Sequence, residues 1–128
     1  WGAIKALKVA RIDHGYHMFE DNGLVRYVAE KGIPVTMCPL AAVSVEYFKD
    51  VREMPIRRAL ESGIVFSINS DDPAYFGGYI NENYSAVAEA FNLSEGEIKK
   101  IAEMSVKSSF LKDAEKERIL NEINRIII

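Results

Sequence analysis

The sequence predicts an α/β fold in which parallel strands alternate with helices. Short apolar segments recur along the first half of the chain, and segments with helical spacing fill the gaps between them. Strands that are separated by helices pair in parallel through right-handed crossovers. A continuous apolar run such as Ile64–Phe66 is typical of a strand that is buried on both faces. The spacing of the units fits a barrel or a doubly wound sheet. The strand candidates are 10–13, 33–37 and 64–68.

The helix candidates follow from the spacing of apolar residues and from the signals at their ends. Glycine follows two of them directly, as expected of a C-terminal stop. Ser94 and Glu97 have the spacing of a capping box, which predicts a helix that begins after Ser94. The charged run 113–118 is typical of a solvated helix face. The helix candidates are 3–9, 24–31 before Gly32, 56–62 before Gly63, 81–91, the segment after Ser94, and 114–127.

Length, charge and composition narrow the possible classes of function. The chain has 128 residues, enough for one domain with a buried core, and a formal net charge of -3. That charge offers no basic surface to a nucleic acid, and no apolar run is long enough to span a bilayer. The single cysteine, Cys38, excludes an intrachain disulfide and favours a reduced, cytoplasmic setting. The chain begins at Trp1 rather than at a methionine, which we interpret as a truncated or processed product.

Polar residues follow each strand candidate at the point where that strand ends. His14 comes after the first strand, Cys38 after the second, and Asp71 and Asp72 after the third. In parallel α/β folds these strand ends meet at one edge, and ligands bind there. His14 could be a general base, an electrophile or a metal ligand, or an ordinary histidine at a strand end. The two aspartates could bind a metal and a substrate donor, or Asp72 could simply begin a helix before Pro73.

Three further features carry weaker signals. Cys38 could be a nucleophile, but the sequence suggests no base beside it, and a lone buried cysteine usually acts as a small apolar residue. The aromatic and glycine-rich segment 74–79 could cover a flat apolar ligand or form a surface turn. His17 belongs to no recognisable pattern, and we interpret it as a surface residue.

Taken together, the three strand-end motifs resemble the adenosine/adenine deaminase family of metal-dependent hydrolases. The matching segments are 11–15 (Arg-Ile-Asp-His-Gly), 38–40 (Cys-Pro-Leu) and 69–73 (Asn-Ser-Asp-Asp-Pro), and their order and spacing both fit. The ten residues from Ser70 to Tyr79 resemble the adenine deaminase branch in particular. The resemblance covers nearly the whole chain.

The resemblance implies a (β/α)8 TIM barrel, in which residues 1–128 would be a single partial domain that holds about strands six to eight and the following helices. It implies one zinc ion per complete site. Asp71 matches the aspartate that ligates zinc and accepts a hydrogen bond from the attacking water, and His14 matches the histidine that orients this water. Asp72 matches the aspartate that hydrogen-bonds N7 of the purine. The implied substrate is a 6-aminopurine: adenine would be hydrolysed to hypoxanthine and ammonia, and adenosine is the alternative substrate.

The sequence also departs from the family pattern. The family has a His-x-His pair, a third histidine ligand and a glutamate acid before these motifs, whereas this chain has two histidines, His14 and His17. A catalytic zinc usually has three protein ligands. Ala41 and Ala42 stand where the family usually has Ser-Asn. Two other interpretations therefore stay open: a non-catalytic half-barrel that self-associates or complements a missing N-terminal half, and a small flavodoxin-like binding module.

Overall fold

A computed structural model describes residues 1–126 of the chain, and a parallel sheet lies at its centre. Strand β1 (Val35–Met37) pairs in parallel with strand β2 (Phe66–Ile68). Every residue of both strands is buried, as predicted for strands that are covered on both faces. The register pairs Val35 with Phe66, Thr36 with Ser67, and Met37 with Ile68.

The first predicted strand, 10–13, is reduced to a single residue. Ile12 forms an isolated parallel bridge with the start of β1. Its N–H donates to the Pro34 carbonyl at 2.9 Å, and its carbonyl accepts from the Thr36 N–H at 3.0 Å. Residues 10 and 11 lie outside the sheet, and residue 13 already belongs to the turn that contains His14, whose φ of 52° is outside the extended region of backbone space. The bridge nevertheless places the three segments side by side in the predicted parallel order.

Eight α-helices and two short 3₁₀ helices accompany the sheet within residues 1–126. Gly32 caps the second helix and Gly63 follows the fourth, so both predicted stops are confirmed. The predicted capping box is also formed, since the Glu97 N–H donates to Ser94 Oγ at 3.3 Å. The α-helices are α1 (Gly2–Lys5), α2 (Asn22–Lys31), α3 (Pro39–Ser44), α4 (Ile56–Glu61), α5 (Pro73–Phe76), α6 (Ile80–Phe91), α7 (Glu95–Ser108) and α8 (Asp113–Asn124); the 3₁₀ helices are Tyr16–Glu20 and Val51–Glu53.

Several boundaries differ from the predicted ones. Helix α1 is shorter than 3–9 because Lys8, with a φ of 52°, has left the helical region of backbone space. Helices α3 and α5 begin at Pro39 and Pro73, where the ring of proline fixes a helical φ at the first position. The sequence predicted neither α3 nor the full extent of α5. The predicted end of the last helix at residue 127 lies outside the described residues.

The hydrophobic core lies between the sheet and the helices that cover it. Helix α7 packs against β2 on one side and against α8 on the other, and α6 also contacts β2. The parallel pairing places the residues that follow Ile12, β1 and β2 at one edge of the sheet, and the candidate site lies there. No helix within residues 1–126 is long and apolar enough to cross a membrane. The largest fully buried side chains include Phe66, Met37, Ile56, Ile64 and Ile101.

Candidate functional site

The ends of the three parallel segments bring together the residues that the sequence singled out. His14 Nε2 lies 3.4 Å from Asp71 Oδ2. The Cys38 sulfur belongs to the same cluster, in which one potential ligand atom from each of the three residues lies within 4.8 Å of the others. The His14 ring is half-exposed and the Asp71 carboxylate is partly buried. The predicted meeting of the strand ends is therefore confirmed for these three residues.

The backbone at this cluster is strained at both of the polar residues that face each other. His14 has a φ of 52° and Asp71 a φ of 56°, both in the left-handed region that side chains with a Cβ atom rarely adopt. Such conformations cost free energy, and they concentrate at sites where a side chain must be aimed in an unusual direction. The left-handed turn after each strand directs the two side chains towards one another.

Hydrogen bonds from neighbouring segments hold these strand ends in place. The His14 N–H donates to Thr36 Oγ1 of β1 at 3.2 Å. The Cys38 N–H donates to the Tyr16 hydroxyl at 2.8 Å. After β2, the Asn69 N–H donates to the carbonyl of Met37 at 2.9 Å. Each motif is therefore anchored to the adjacent strand or loop.

The donor set suits a zinc ion. Ligand atoms about 2.0–2.2 Å from a tetrahedral zinc lie about 3.3–3.6 Å apart, and the distance between the His14 and Asp71 atoms falls within that range. Imidazole nitrogen and carboxylate oxygen are both ordinary zinc donors. The residues present therefore fit a zinc ion with an Asp71 oxygen as one ligand, and His14 Nε2 is close enough either to be a second ligand or to contact a water bound to the metal.

Cys38 is a poor nucleophile in this arrangement. Its side chain is buried. Burial first, and then the negative charges of Asp71 and Asp13, raise the pKa of the thiol to about 12. The reactive form of cysteine is the thiolate, so the interpretation of Cys38 as a small buried apolar residue agrees with the structure.

A pocket of about 210 Å³ opens beside His14 and Asp71. Its walls are largely apolar, and the two polar residues lie together in the lining. Phe76 of α5, the helix that follows β2, forms part of the lining, and so do Ala41 and Ala42 of α3. The lining residues are His14, Tyr16, Ala41, Ala42, Val45, Tyr47, Asp71 and Phe76.

Asp72 follows the cluster at the start of α5. It is the N-cap residue and Pro73 takes the first helical position, as the turn interpretation predicted. Its carboxylate forms no capping hydrogen bond among the described residues, however. Because the side chain is exposed and does not cap the helix, it remains available to a ligand.

The segment 74–79 is divided between the pocket and the surface. Phe76 lines the pocket, whereas Tyr75 is 82% exposed and Tyr79 is 65% exposed. The interpretation as a ligand cover thus applies to Phe76, and the interpretation as a surface turn applies to Tyr75 and Tyr79. His17 lies on the surface as predicted, where Nδ1 contacts Glu20 Oε1 at 2.6 Å.

Tyr16 is a site residue that the sequence did not single out. It lines the pocket, and its hydroxyl accepts the hydrogen bond from the Cys38 N–H. The pKa of this hydroxyl is raised by burial, so it stays protonated. The local sequence signal was slight: an aromatic residue two positions after His14, in a segment that the structure folds as a 3₁₀ helix.

Fold and site together define an α/β domain with its polar cluster at the ends of parallel segments, and comparison with known proteins identifies the family. A sequence model of the adenosine deaminase family matches residues 1–126. The chain belongs to the adenosine deaminase family. It is 46% identical over 119 residues to an adenine deaminase of Crocosphaera subtropica, and 50% identical over 118 residues to one of Aspergillus fumigatus. These alignments cover 93% and 92% of this chain, and 36% and 33% of the relatives.

Solved structures share the same arrangement of elements. The crystal structure of an adenine deaminase from Arthrobacter aurescens superposes with a TM-score of 0.92 at 36% identity, over 96% of this chain and 38% of that one. An amidohydrolase from Burkholderia ambifaria with bound Zn superposes with a TM-score of 0.85 at 21% identity, over 96% of this chain and 35% of that one. The second likeness concerns the fold alone. The chain spans about a third of the length of the relatives that it matches.

Proposed function

We propose that this chain supplies part of the active site of a zinc-dependent adenine deaminase, which hydrolyses adenine to hypoxanthine and ammonia. The observation that carries the proposal is the 3.4 Å contact between His14 Nε2 and Asp71 Oδ2, beside a pocket of about 210 Å³. The names of the relatives support adenine as the substrate. We further propose that the three parallel segments are strands six to eight of a (β/α)8 barrel, and that residues 1–128 form one partial domain.

Zinc, when bound, supplies a hydroxide nucleophile at neutral pH. In our proposal Asp71 holds the metal through a carboxylate oxygen and accepts a hydrogen bond from the attacking water. His14 Nε2, which lies beside that oxygen, orients the water and stabilises the charge that develops during attack on C6. The amino group at C6 leaves as ammonia, so that one water is consumed for each ammonia released.

Asp72 provides the polar contact that distinguishes a purine from other flat ligands. Its carboxyl group is exposed and does not cap α5, and we propose that it hydrogen-bonds N7, with the shared proton carried either by the carboxyl group or by N7. A site that hydrogen-bonds its substrate rejects analogues lacking the partner atom far better than an apolar pocket does. The apolar walls at Ala41, Ala42 and Phe76 then contact the faces of the ring.

The chain supplies one carboxylate ligand for a metal that usually has three protein ligands. We propose that groups outside this sequence complete the coordination, either from a longer polypeptide or from a second one. Self-association of the chain, a cytoplasmic setting and a half-barrel that lacks catalysis stay predictions. The zinc content of the protein decides between a completed and an incomplete site.

The experiment is steady-state deamination by the complete zinc-loaded protein, in which the remaining metal ligands are present, followed as ammonia release from adenine and from adenosine. Asp71→Asn should lose both zinc and activity. His14→Ala should lower kcat about 10²- to 10³-fold, the usual loss when one group that stabilises developing charge is removed. Asp72→Ala should lower kcat/KM about 10- to 150-fold, the value of a hydrogen bond to a charged group.

Asp113→Asn is the matched control, because Asp113 is an exposed aspartate in the first turn of α8. It should leave kcat/KM within about twofold, as expected of a surface change. A zinc-loaded protein that releases no ammonia from adenine would refute the proposed activity. A higher kcat/KM for adenosine than for adenine would transfer the assignment to the nucleoside.

A further inference from the structure

We propose that Asn83 is a positioning residue for the candidate site: its side-chain amide joins the loop after β1 to the loop after β2 and so holds the two walls of the pocket together. The effect that we expect Asn83 to have on catalysis rests on the proposed function. Its structural basis is independent of that function. Asn83 lies in the first turns of α6 and is completely buried, with 0% exposure.

Asn83 uses both ends of its amide. Oδ1 accepts from the Leu40 N–H at 3.1 Å, across 43 residues of sequence. Nδ2 donates to the Tyr79 carbonyl at 2.8 Å and to the Gly78 carbonyl at 3.3 Å. The acceptor faces an N–H and the donor faces two carbonyls, so the partners fix the orientation of the amide.

The bond from the Leu40 N–H gives an acceptor to a backbone donor that has no partner within α3. The first N–H groups of a helix have no partner within the helix, and Cys38, the N-cap of α3, provides no side-chain cap in the described chain. Asn83 therefore caps α3 from a different helix. Since α3 carries Ala41 and Ala42, the cap fixes one wall of the pocket.

Contact between the two loops is close at the same point. A Cβ atom on Gly78 would lie 2.2 Å from Leu40 Cδ1 and 3.3 Å from the Glu82 Cβ. The Leu40 side chain thus lies directly on the Gly78 backbone, whose carbonyl Asn83 binds. Phe76 is two residues before Gly78, so the same contact fixes the second wall of the pocket.

The catalytic groups depend on different contacts. His14 and Asp71 follow the ends of the parallel segments, and the His14 backbone is bonded to Thr36 of β1. Loss of the Asn83 contacts should therefore separate the pocket walls more than it disturbs the polar cluster. A pocket whose binding-competent arrangement is only partly populated binds substrate more weakly in proportion to that population. The expected signature is a raised KM with kcat nearly unchanged.

The test uses Asn83→Leu, a buried replacement of similar size that cannot form hydrogen bonds, and Asn81→Leu as the matched control. Asn81 is on the same helix and is exposed. We expect Asn83→Leu to raise the KM of the zinc-loaded protein for adenine about tenfold and to change kcat less than about threefold, which corresponds to a pocket about one tenth competent. Asn81→Leu should leave both constants unchanged.

Hydrogen exchange provides a readout that needs no catalysis. In Asn83→Leu the Leu40 amide, which loses its acceptor, should exchange at least about tenfold faster. The Gly77 and Tyr79 amides, which donate to Pro73 and Glu82, should also exchange faster as their turn loosens, while β1 and β2 keep their protection. Should that variant fail to fold, Asn83→Ala gives the same test, because it removes the same hydrogen bonds without adding bulk or charge to the buried position.

Two results would overturn the inference. One is unchanged exchange at both loops, and the other is faster exchange throughout the sheet with a lower Tm and an unchanged KM, which is the behaviour of a purely structural residue. A wild-type protein without deaminase activity would refute the proposed function instead. In that case the exchange pattern alone decides whether Asn83 joins the loops.

Discussion

Replacement of Asp71 by glycine should leave the protein more stable than replacement of Asp71 by alanine. Both changes remove the carboxylate and should remove zinc binding to the same extent. They differ only in the backbone, because residue 71 has a φ of 56°. Alanine retains the Cβ atom that clashes in this conformation, whereas glycine does not. The difference between the two variants therefore isolates the strain stored at the candidate metal ligand.

The magnitude follows from two opposing terms. A Cβ atom in the left-handed region costs about 1–2 kcal/mol. Glycine makes the unfolded chain more flexible, which offsets about 0.4–1 kcal/mol of that gain. At residue 71 the glycine variant should thus be more stable by roughly 0.8 kcal/mol, the difference between the midpoints of the two ranges. In the middle of an exposed helix the order reverses, because glycine there costs about 1 kcal/mol relative to alanine.

The assay is urea unfolding of the zinc-free protein, with the two replacements made at three positions. Glu46 has a φ of 59° and lies on the surface, so its glycine variant should also be the more stable one. Glu117 is exposed in α8, so its alanine variant should be the more stable one. The transition midpoints should move while the slopes stay the same. An alanine variant of Asp71 that matches or exceeds the glycine variant would refute the claim of stored strain.

Two further predictions concern single side chains. Burial is the largest cause of the raised pKa of the Cys38 thiol, which is about 12. Cys38 should therefore resist iodoacetamide at pH 8 in the folded zinc-free protein and react normally in urea. Rapid alkylation of the folded protein would contradict this prediction. The pKa of Glu97 is lowered by its hydrogen bonds to Ser94 and by Arg57. Its stabilising effect is present above the unfolded pKa of about 4.3 and is lost as the pH falls through the folded pKa. The stability advantage of wild type over Glu97→Gln, measured by urea unfolding, should therefore shrink between pH 5 and pH 3, and an unchanged advantage would exclude this role.

The parts of the fold that depend on local signals could be predicted from the sequence. Gly32 and Gly63 follow their helices as expected, and the Ser94–Glu97 capping box forms. These features were predictable because each depends on a few adjacent residues. The predicted strand at 10–13 is reduced to Ile12: a turn that begins at Asp13 and leads into the left-handed His14 ends it, and apolar periodicity does not reveal such a turn.

The meeting of His14, Cys38 and Asp71 was predictable because parallel strands place their carboxyl ends at one edge. The contributions of Tyr16 and Asn83 were not. Each contacts the 38–40 motif from a segment that is distant in sequence, Tyr16 across 22 residues and Asn83 across 43. Asn83 did leave one signal, since it lies four residues before Val87 on the buried face of α6, where a polar residue needs internal partners.

The contacts that hold the strand ends share one property. His14 is held by Thr36 and Cys38 by Tyr16, each across 22 residues, and Leu40 is held by Asn83 across 43. In every case a side-chain oxygen accepts from a backbone N–H that follows a strand end. The motifs therefore determine which chemical groups meet at this edge, while side chains from other segments determine how firmly the loops hold them. A relative that kept the motifs but lost these three acceptors should keep the ligand set and bind its substrate more weakly, because the groups would meet in fewer of its conformations.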